Sequence, residues 1–207
     1  MGIRYIGSKA RIADTIVDLA GKPASGRFVD AFSGTGAVAA IAAGRGWRVA
    51  INDALPSSVS MSVAAVLSSS QAPFYGLGGY EQSIVRLNAV AGSPGFIHRE
   101  YTPASVAHVG LERKYFTESN GARIDAMRAQ IAAWRDEGLL SEAEHHLLLS
   151  DLMQAANSVA NISGTYGCFL RSWTPGSLRP VTLKPRRLAA HTVDYVATAG
   201  DVAALRT

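Results

Sequence analysis

Two glycines placed just after an acidic residue form the segment best suited to chemistry. Residues 28–36 read F-V-D-A-F-S-G-T-G, between a strand candidate at Arg27–Asp30 and an Ala-rich helix predicted from about Gly36 to Ala43. Glycine allows a tight turn and a close ligand approach, and a strand-to-helix turn points backbone N–H groups at the ligand. The turn predicts a nucleotide-like ligand. NAD, a phosphate ligand or a plain strand-to-helix turn are alternatives, and Ala39 replaces the third glycine of a dinucleotide fingerprint.

A second acidic residue closes the next predicted strand. Arg48–Asp53 reads R-V-A-I-N-D, with Asp53 at its end. In nucleotide sites an acid at this place accepts hydrogen bonds from ribose hydroxyls. The order strand, glycine turn, helix, strand, acid therefore predicts the opening of a nucleotide-binding βαβ unit.

The elements that position these residues divide the chain into three predicted parts. Residues 1–70 alternate helix and strand, residues 71–187 are helical and loop-rich, and residues 188–207 return to the sheet. Apolar spacing predicts helices at Ala10–Ala20, Gly121–Glu137 and Ser141–Ser158, the last with a possible capping box of Ser141 and Glu144. A strand is expected at Asp194–Thr198, followed by a short element at 200–205.

Charge and residue mixture point to a polyanionic partner for the middle of the chain. The 207 residues carry a formal net charge of +4, and residues 161–187 mix Arg and Lys with aromatic residues and glycine, as surfaces that follow a nucleic-acid backbone do. An ordinary solvated basic loop is the alternative. Cys168 is the only cysteine, and the adjacent His145 and His146 cannot share a metal well, so no metal site is expected. No apolar run is long enough to span a membrane and no secretory signal is visible, which predicts a cytoplasmic protein.

Several stretches together resemble one enzyme family. D-A-F-S-G-T-G at 30–36 resembles the D-x-F-x-G-x-G motif of Dam-like DNA adenine methyltransferases with the alpha motif order. The segment Arg4–Lys9 resembles the stretch that precedes that motif, Asn52-Asp53 resembles its ribose-binding pair, and stretches at 116–128 and 161–167 resemble further parts in the same order.

The resemblance implies a fold, a cofactor and a substrate. The fold would be α/β, a Rossmann-like AdoMet-dependent methyltransferase fold with an incomplete sheet and a mainly helical inserted DNA-recognition region. The cofactor would be S-adenosyl-L-methionine (AdoMet), and its methyl group would pass to the exocyclic amino group of adenine in double-stranded DNA. Cofactor-binding residues would be Tyr5, Ile6, Gly7, Lys9, Asp30, Phe32, Ser33, Gly34, Thr35, Gly36, Asn52, Asp53 and Asp201. DNA-binding residues would be Lys114, Asn120, Arg123, Tyr166, Arg171, Lys184, Arg186 and Arg187.

One family feature is not found in the sequence. Family members hold the target amino group with a loop of the type Asp/Asn-Pro-Pro-Tyr/Phe, and these 207 residues contain no Pro-Pro pair. The catalytic residues therefore stay unknown, and we expect the chain to be inactive by itself. It would be one subunit of a split enzyme whose second polypeptide supplies the loop, or a truncated or frameshifted form. A non-catalytic AdoMet- and DNA-binding module and a small-molecule methyltransferase are the alternatives.

Overall fold

The computed structural model describes residues 7–23 and 25–205, which belong to two compact units. The sheet unit contains residues 7–73, 141–150 and 186–205, and the helical unit contains residues 74–140 and 151–185. The sequence predicted boundaries at 70 and 187 and a return to the sheet after 187. In the structure, residues 141–150 also belong to the sheet unit. The helix that begins there has its first part in the sheet unit and its second part in the helical unit.

A small parallel sheet organises the sheet unit. Its strands are β1 (Phe28–Asp30), β2 (Val49–Asp53) and β3 (Tyr195–Ala199), in the order β1-β2-β3. Phe28 lies opposite Val49, and Val49 lies opposite Tyr195. Parallel neighbours require crossover connections, and the crossover between β1 and β2 is a helix. The predicted mixed α/β class is therefore observed.

Three helices belong to this unit besides the start of a fourth. They are α1 (Ala13–Ala20), α2 (Ala37–Gly44) and α3 (Pro56–Val66). The sequence predicted α1 and α2 to within three residues, but it did not predict α3. That helix is serine-rich and buried on nearly every side, so it has no apolar stripe with helical spacing.

The two faces of the sheet are covered differently. Helices α2 and α3 pack against the strands, and Val49 and Ile51 of β2 are fully buried. Val29 and Val196, which lie in one register row on either side of Ala50, remain 41% and 46% exposed. Parallel sheets normally have both faces covered. Val29 and Val196 instead line a groove together with Ala50, Thr198 and Leu205.

The helical unit is built from α4 (Tyr80–Ala89), α5 (Phe96–Tyr101), α6 (Val106–Val109), α7 (Glu118–Asp136) and the second part of α8 (Glu142–Val159). The sequence predicted α7 and α8 but not the three shorter helices, which glycine and proline residues separate. At the start of α8 the predicted capping box is confirmed. Ser141 N–H donates to Glu144 Oε2 at 2.8 Å, and Glu144 N–H donates to Ser141 Oγ at 3.3 Å.

Short 3-10 turns lie at Tyr75–Leu77, Pro103–Ser105 and Val202–Ala204. Residues 160–194 contain no helix or strand beyond isolated bridges, as the glycine, proline and arginine content predicted. Within the described ranges, no helix has the length and apolar character needed to cross a membrane.

Candidate functional site

The glycine turn after β1 has the tight geometry that the sequence predicted. Gly34 and Gly36 have φ values of 54° and 77°, in the left-handed region that favours glycine. Position 36 requires glycine because of packing, as well as for the expected close approach of a ligand. A Cβ atom there would lie 2.6 Å from the Cα of Ser62 in α3. The turn is therefore held close to a helix that the sequence did not predict.

The carboxyl groups of Asp53 and Asp30 hold this turn by accepting hydrogen bonds from backbone N–H groups. Asp53 Oδ2 accepts a hydrogen bond from Gly34 N–H at 2.9 Å, and Asp53 Oδ1 accepts one from Leu55 N–H at 3.0 Å. Asp30 Oδ2 accepts from Ala39 N–H, in the first turn of α2, at 3.2 Å. Each carboxylate oxygen has two lone pairs, so both groups keep acceptor capacity for a ligand.

Burial and a neighbouring charge shift the pKa of Asp30. Burial raises the pKa of Asp30, the Ala39 N–H lowers it in part, and the nearby Asp53 charge raises it further. Two carboxyl groups at one turn favour a ligand with hydroxyl donors or positive charge. The Ala39 N–H already donates to Asp30 and is not available to a phosphate at the start of α2. A phosphate there would also lie next to the Asp30 carboxyl group, which repels it.

Asn52 lies beside Asp53 at the end of β2 and is bonded inside the sheet unit. It is 2% exposed, and its Nδ2 donates to the carbonyls of Ala31 at 3.1 Å and Gly200 at 3.2 Å. These bonds join the carboxyl ends of β1 and β3 across β2. Both donors of this side chain are therefore used inside the sheet, and its Oδ1 acceptor is not. The Asn52 Oδ1 and Ser33 Oγ atoms are buried without a protein partner in the described part of the chain.

The remaining predicted cofactor residues are distributed around the turn or outside it. Phe32 is 75% exposed, Thr35 is half-buried, and Asp201 is exposed with its Oδ1 accepting from Ala203 N–H at 2.9 Å. Gly7 has a φ of 82° and its carbonyl accepts from Lys9 Nζ at 3.1 Å. Tyr5 and Ile6 lie outside the described residues.

Most of the predicted DNA-binding residues in the helical unit are accessible. Arg171 and Lys184 are exposed, Tyr166 is 44% exposed, and Lys114 is half-buried with its Nζ 3.3 Å from Glu112 Oε2. In the sheet unit Arg187 is exposed, while Arg186 Nη2 donates to Ser150 Oγ at 2.9 Å.

Two predicted DNA contacts are used internally instead. Asn120 is buried, its Nδ2 donates to the Arg179 carbonyl at 2.9 Å, and its Oδ1 accepts from Val181 N–H at 2.9 Å. Arg123 Nη2 donates to the Asn88 carbonyl at 2.8 Å. Asn120 therefore holds the irregular segment after Ser177. Arg123 is partly committed to the fold in the same way.

An aromatic cluster and a buried asparagine support the loop at residues 163–168. The ring of Tyr115 stacks on Tyr166 with centroids 6.2 Å apart and meets Phe169 edge-on at 5.2 Å. Asn161, which is fully buried, bonds to three separate stretches of chain. The aromatic residues are visible in the sequence. The hydrogen bonds of Asn161 could not be predicted from it, because their partners lie 9 or more positions away along the chain.

Comparison with known proteins places these features in a family. The family model described as D12 class N6 adenine-specific DNA methyltransferase matches residues 5–201. Type II methyltransferase M.NlaIII of Neisseria lactamica is 31% identical over 195 residues, which is 88% of this chain and 54% of the relative. Modification methylase LlaI of Lactococcus lactis subsp. lactis and type II methyltransferase M.FokI of Planomicrobium okeanokoites are each 32% identical. Each match covers 88% of this chain and 29% of the relative.

The chain thus spans about half, or less, of the length of these curated relatives. No solved structure matches it. The family model nevertheless covers nearly every residue, including the turn at 30–36 and the irregular segment at 161–187. The chain belongs to the family of D12 class N6 adenine-specific DNA methyltransferases.

Proposed function

We propose that this chain is the AdoMet-binding and DNA-recognising portion of a restriction-modification DNA methyltransferase that acts on the exocyclic amino group of adenine. The observation that carries the proposal is the glycine turn braced by Asp53, in a chain whose family acts on adenine in DNA. A Rossmann-like fold, of which this chain forms an incomplete sheet, and a cytoplasmic location are parts of the same proposal.

The described side chains fit AdoMet in their chemistry. AdoMet carries a ribose diol and a sulfonium cation, and it has no phosphate. Asp53 has free lone pairs for the ribose hydroxyls, the Asp30 carboxyl group favours positive charge nearby, and the exposed Phe32 ring offers a flat surface. The buried Ser33 hydroxyl lies in the same turn without a protein partner among the described residues. These features favour AdoMet over NAD or another phosphate ligand.

When bound, AdoMet supplies an electrophilic methyl group. This chain would then hold the cofactor rigidly, because the turn is fixed by Asp53 on one side and by α3 on the other. On the DNA side, Lys114, Arg171 and Lys184 would contact phosphates, while Tyr166 would lie against the opened duplex. Arg187 and Arg186 of the sheet unit are further candidates for phosphate contacts.

Titration calorimetry with AdoMet tests the cofactor site. Asp53→Ala removes a charged acceptor, so AdoMet binding should weaken by about 1.5–3 kcal/mol. Asp194→Ala is the matched control, since Asp194 is an acid of the same unit that pairs with Arg27 at 2.8 Å, at the opposite ends of the strands. Equal AdoMet affinities of wild type and Asp53→Ala would remove Asp53 from the site. If the wild-type chain does not bind AdoMet, the cofactor assignment is overturned.

A second candidate function is a non-catalytic module that binds AdoMet and DNA. It would use the same braced turn and the same basic residues, and it needs no group that holds the adenine amino group. The two functions predict the same binding data. They differ in whether methyl transfer appears when the missing loop is supplied.

A further inference from the structure

We propose that Asn161 is a positioning residue that presents the loop at residues 163–168, and Tyr166 within it, as the part of this chain that distinguishes DNA sequences. The inference rests on the proposed DNA-binding function and adds to it a specific residue with a specific role. All the residues that carry it lie in the helical unit.

The loop itself has the composition of a base-reading element. It reads Ser163-Gly164-Thr165-Tyr166-Gly167-Cys168, contains no charged residue, and is closed by an antiparallel bridge between Ile162 and Phe169. Ser and Thr hydroxyl groups can read base edges in a groove, and Arg and Lys supply many of the phosphate contacts that position a protein on the duplex. Basic residues stand beside the loop and its support, at Arg171 and at Lys114, which precedes Tyr115 in the sequence.

Asn161 uses its whole hydrogen-bonding capacity to hold the base of this loop. Its Nδ2 donates to the carbonyls of Lys114 at 3.1 Å and Leu170 at 2.9 Å. Its Oδ1 accepts from Thr174 N–H at 3.2 Å and from Ser177 Oγ at 3.4 Å. The side chain amide has two donors and two lone pairs, and all four are engaged in a site with no solvent exposure.

The backbone and the aromatic cluster continue the same support. Asn161 N–H donates to the Tyr115 carbonyl at 2.8 Å, and Leu170 N–H donates to the Asn161 carbonyl at 2.9 Å. Tyr115 in turn donates from its hydroxyl to the Tyr166 carbonyl at 3.2 Å, beneath the stacked rings. One buried residue therefore fixes both ends of the loop, and Tyr115 fixes its tip. A loop held in this way loses little conformational entropy on contact with bases.

The test uses Asn161→Asp, which keeps the size of the side chain but replaces its donor with an acceptor facing two carbonyls. Asn88→Asp is the matched control, because Asn88 Nδ2 similarly donates to a carbonyl, that of Leu183, at 3.0 Å. Each protein is incubated with AdoMet and a duplex library with a randomised core, and the bound duplexes are sequenced. Cys168, the only cysteine and exposed at the loop, reports the loop directly through its rate of alkylation and through a spin label.

We expect wild type and Asn88→Asp to enrich one short sequence, and DNA to slow alkylation of Cys168 in both. Asn161→Asp should keep its affinity for random duplex, since phosphates supply it, but lose about tenfold or more of the enrichment. Its spin label should also be more mobile without DNA. Tyr115→Phe removes only the hydrogen bond from the Tyr115 hydroxyl to the loop, so it should lose less of the sequence enrichment than Asn161→Asp. It is the test variant if Asn161→Asp does not fold.

The outcomes separate the inference from the function on which it rests. If wild type binds no DNA, the proposed function itself fails. If wild type enriches a sequence and a folded Asn161→Asp or Tyr115→Phe enriches it equally, with Cys168 protected as before, the function stands and the role of Asn161 is wrong.

Discussion

At the scale of single residues, the glycine turn after β1 combines the proposed ligand-binding groups with structural support in the same side chains. Asp53 accepts backbone N–H groups with both oxygens, and Asp30 accepts one at the start of α2. Asn52 joins the ends of two strands. Sites of this type position a reactant because their own geometry is fixed before the ligand arrives. The sequence identified Asp30 and Asp53 from their places at strand ends, but it could not show that Asn52 points into the sheet.

Asp30 provides a prediction about stability and pH. Its pKa is raised by burial and by the Asp53 charge, so the ionised carboxyl group opposes folding. For an acid with a raised folded pKa, this destabilisation is complete above the folded pKa and disappears as the pH falls below the unfolded value. Asp30→Asn, whose Oδ1 can still accept from Ala39, should therefore melt at a higher temperature than wild type at pH 7. The difference should shrink toward pH 4.

Thermal unfolding of both proteins between pH 4 and pH 8 measures this difference. The same variant should bind AdoMet more weakly, because the site loses a negative charge. A variant that is less stable than wild type at pH 7 would show that hydrogen bonding at Asp30 outweighs its desolvation.

At the scale of elements, the close contact between the turn and α3 determines how the site is built. Gly36 combines a φ of 77° with a Cβ position 2.6 Å from the Ser62 backbone. Gly36→Ala should destabilise the chain by about 2–4 kcal/mol, since left-handed strain and overpacking add. Gly46→Ala is the matched control. Gly46 has a φ of 89°, but the nearest atom to its Cβ position is 3.8 Å away.

Urea unfolding of the two variants therefore separates strain from steric contact. Gly46→Ala should show the strain alone, about 1–2 kcal/mol. Equal destabilisation of the two variants would mean that α3 can move away from the turn at little cost.

The elements also show what can be predicted from one sequence. Strands β1 and β2, helices α1, α2, α7 and α8, and the capping box at Ser141 have local signals and were predicted. Helix α3 has none, because its serines are buried and its apolar residues surround the helix. The networks of Asn120 and Asn161 join residues that are many positions apart. Hydrogen-bond partners of that kind depend on tertiary structure, so the sequence could not show that Asn120 is buried and bonded inside the fold.

At the scale of the whole chain, the described residues leave Val29 and Val196 of the parallel sheet 41% and 46% exposed. Strand β1 also pairs only with β2 among the described strands. An unpaired edge and an open apolar face favour association with further polypeptide. This supports the proposal that another segment, in the same or a second polypeptide, completes the sheet.

The last prediction concerns methyl transfer by the 207-residue polypeptide. The adenine amino group is a poor nucleophile, and acceptors placed where charge develops are typically worth about 10²–10³ in rate each. No Pro-Pro pair is present to fix such an acceptor. Transfer of tritiated methyl groups from AdoMet to duplex DNA should therefore stay at background with the purified polypeptide, although AdoMet and DNA both bind. Adding the part of M.NlaIII that the match does not cover should raise transfer.

The same mixture with the Asp53→Ala chain is the control, and it should transfer far less. This control ties any activity to the cofactor turn of this chain and not to the added fragment. Turnover at an enzymatic rate by the polypeptide alone would mean that its own side chains hold the adenine amino group. Because Asp201 is exposed near the carboxyl end of β3, it would be the first residue to substitute in that case. If AdoMet and DNA bind in every mixture but no methyl group is transferred, the non-catalytic module is favoured. This chain would then only position AdoMet and DNA.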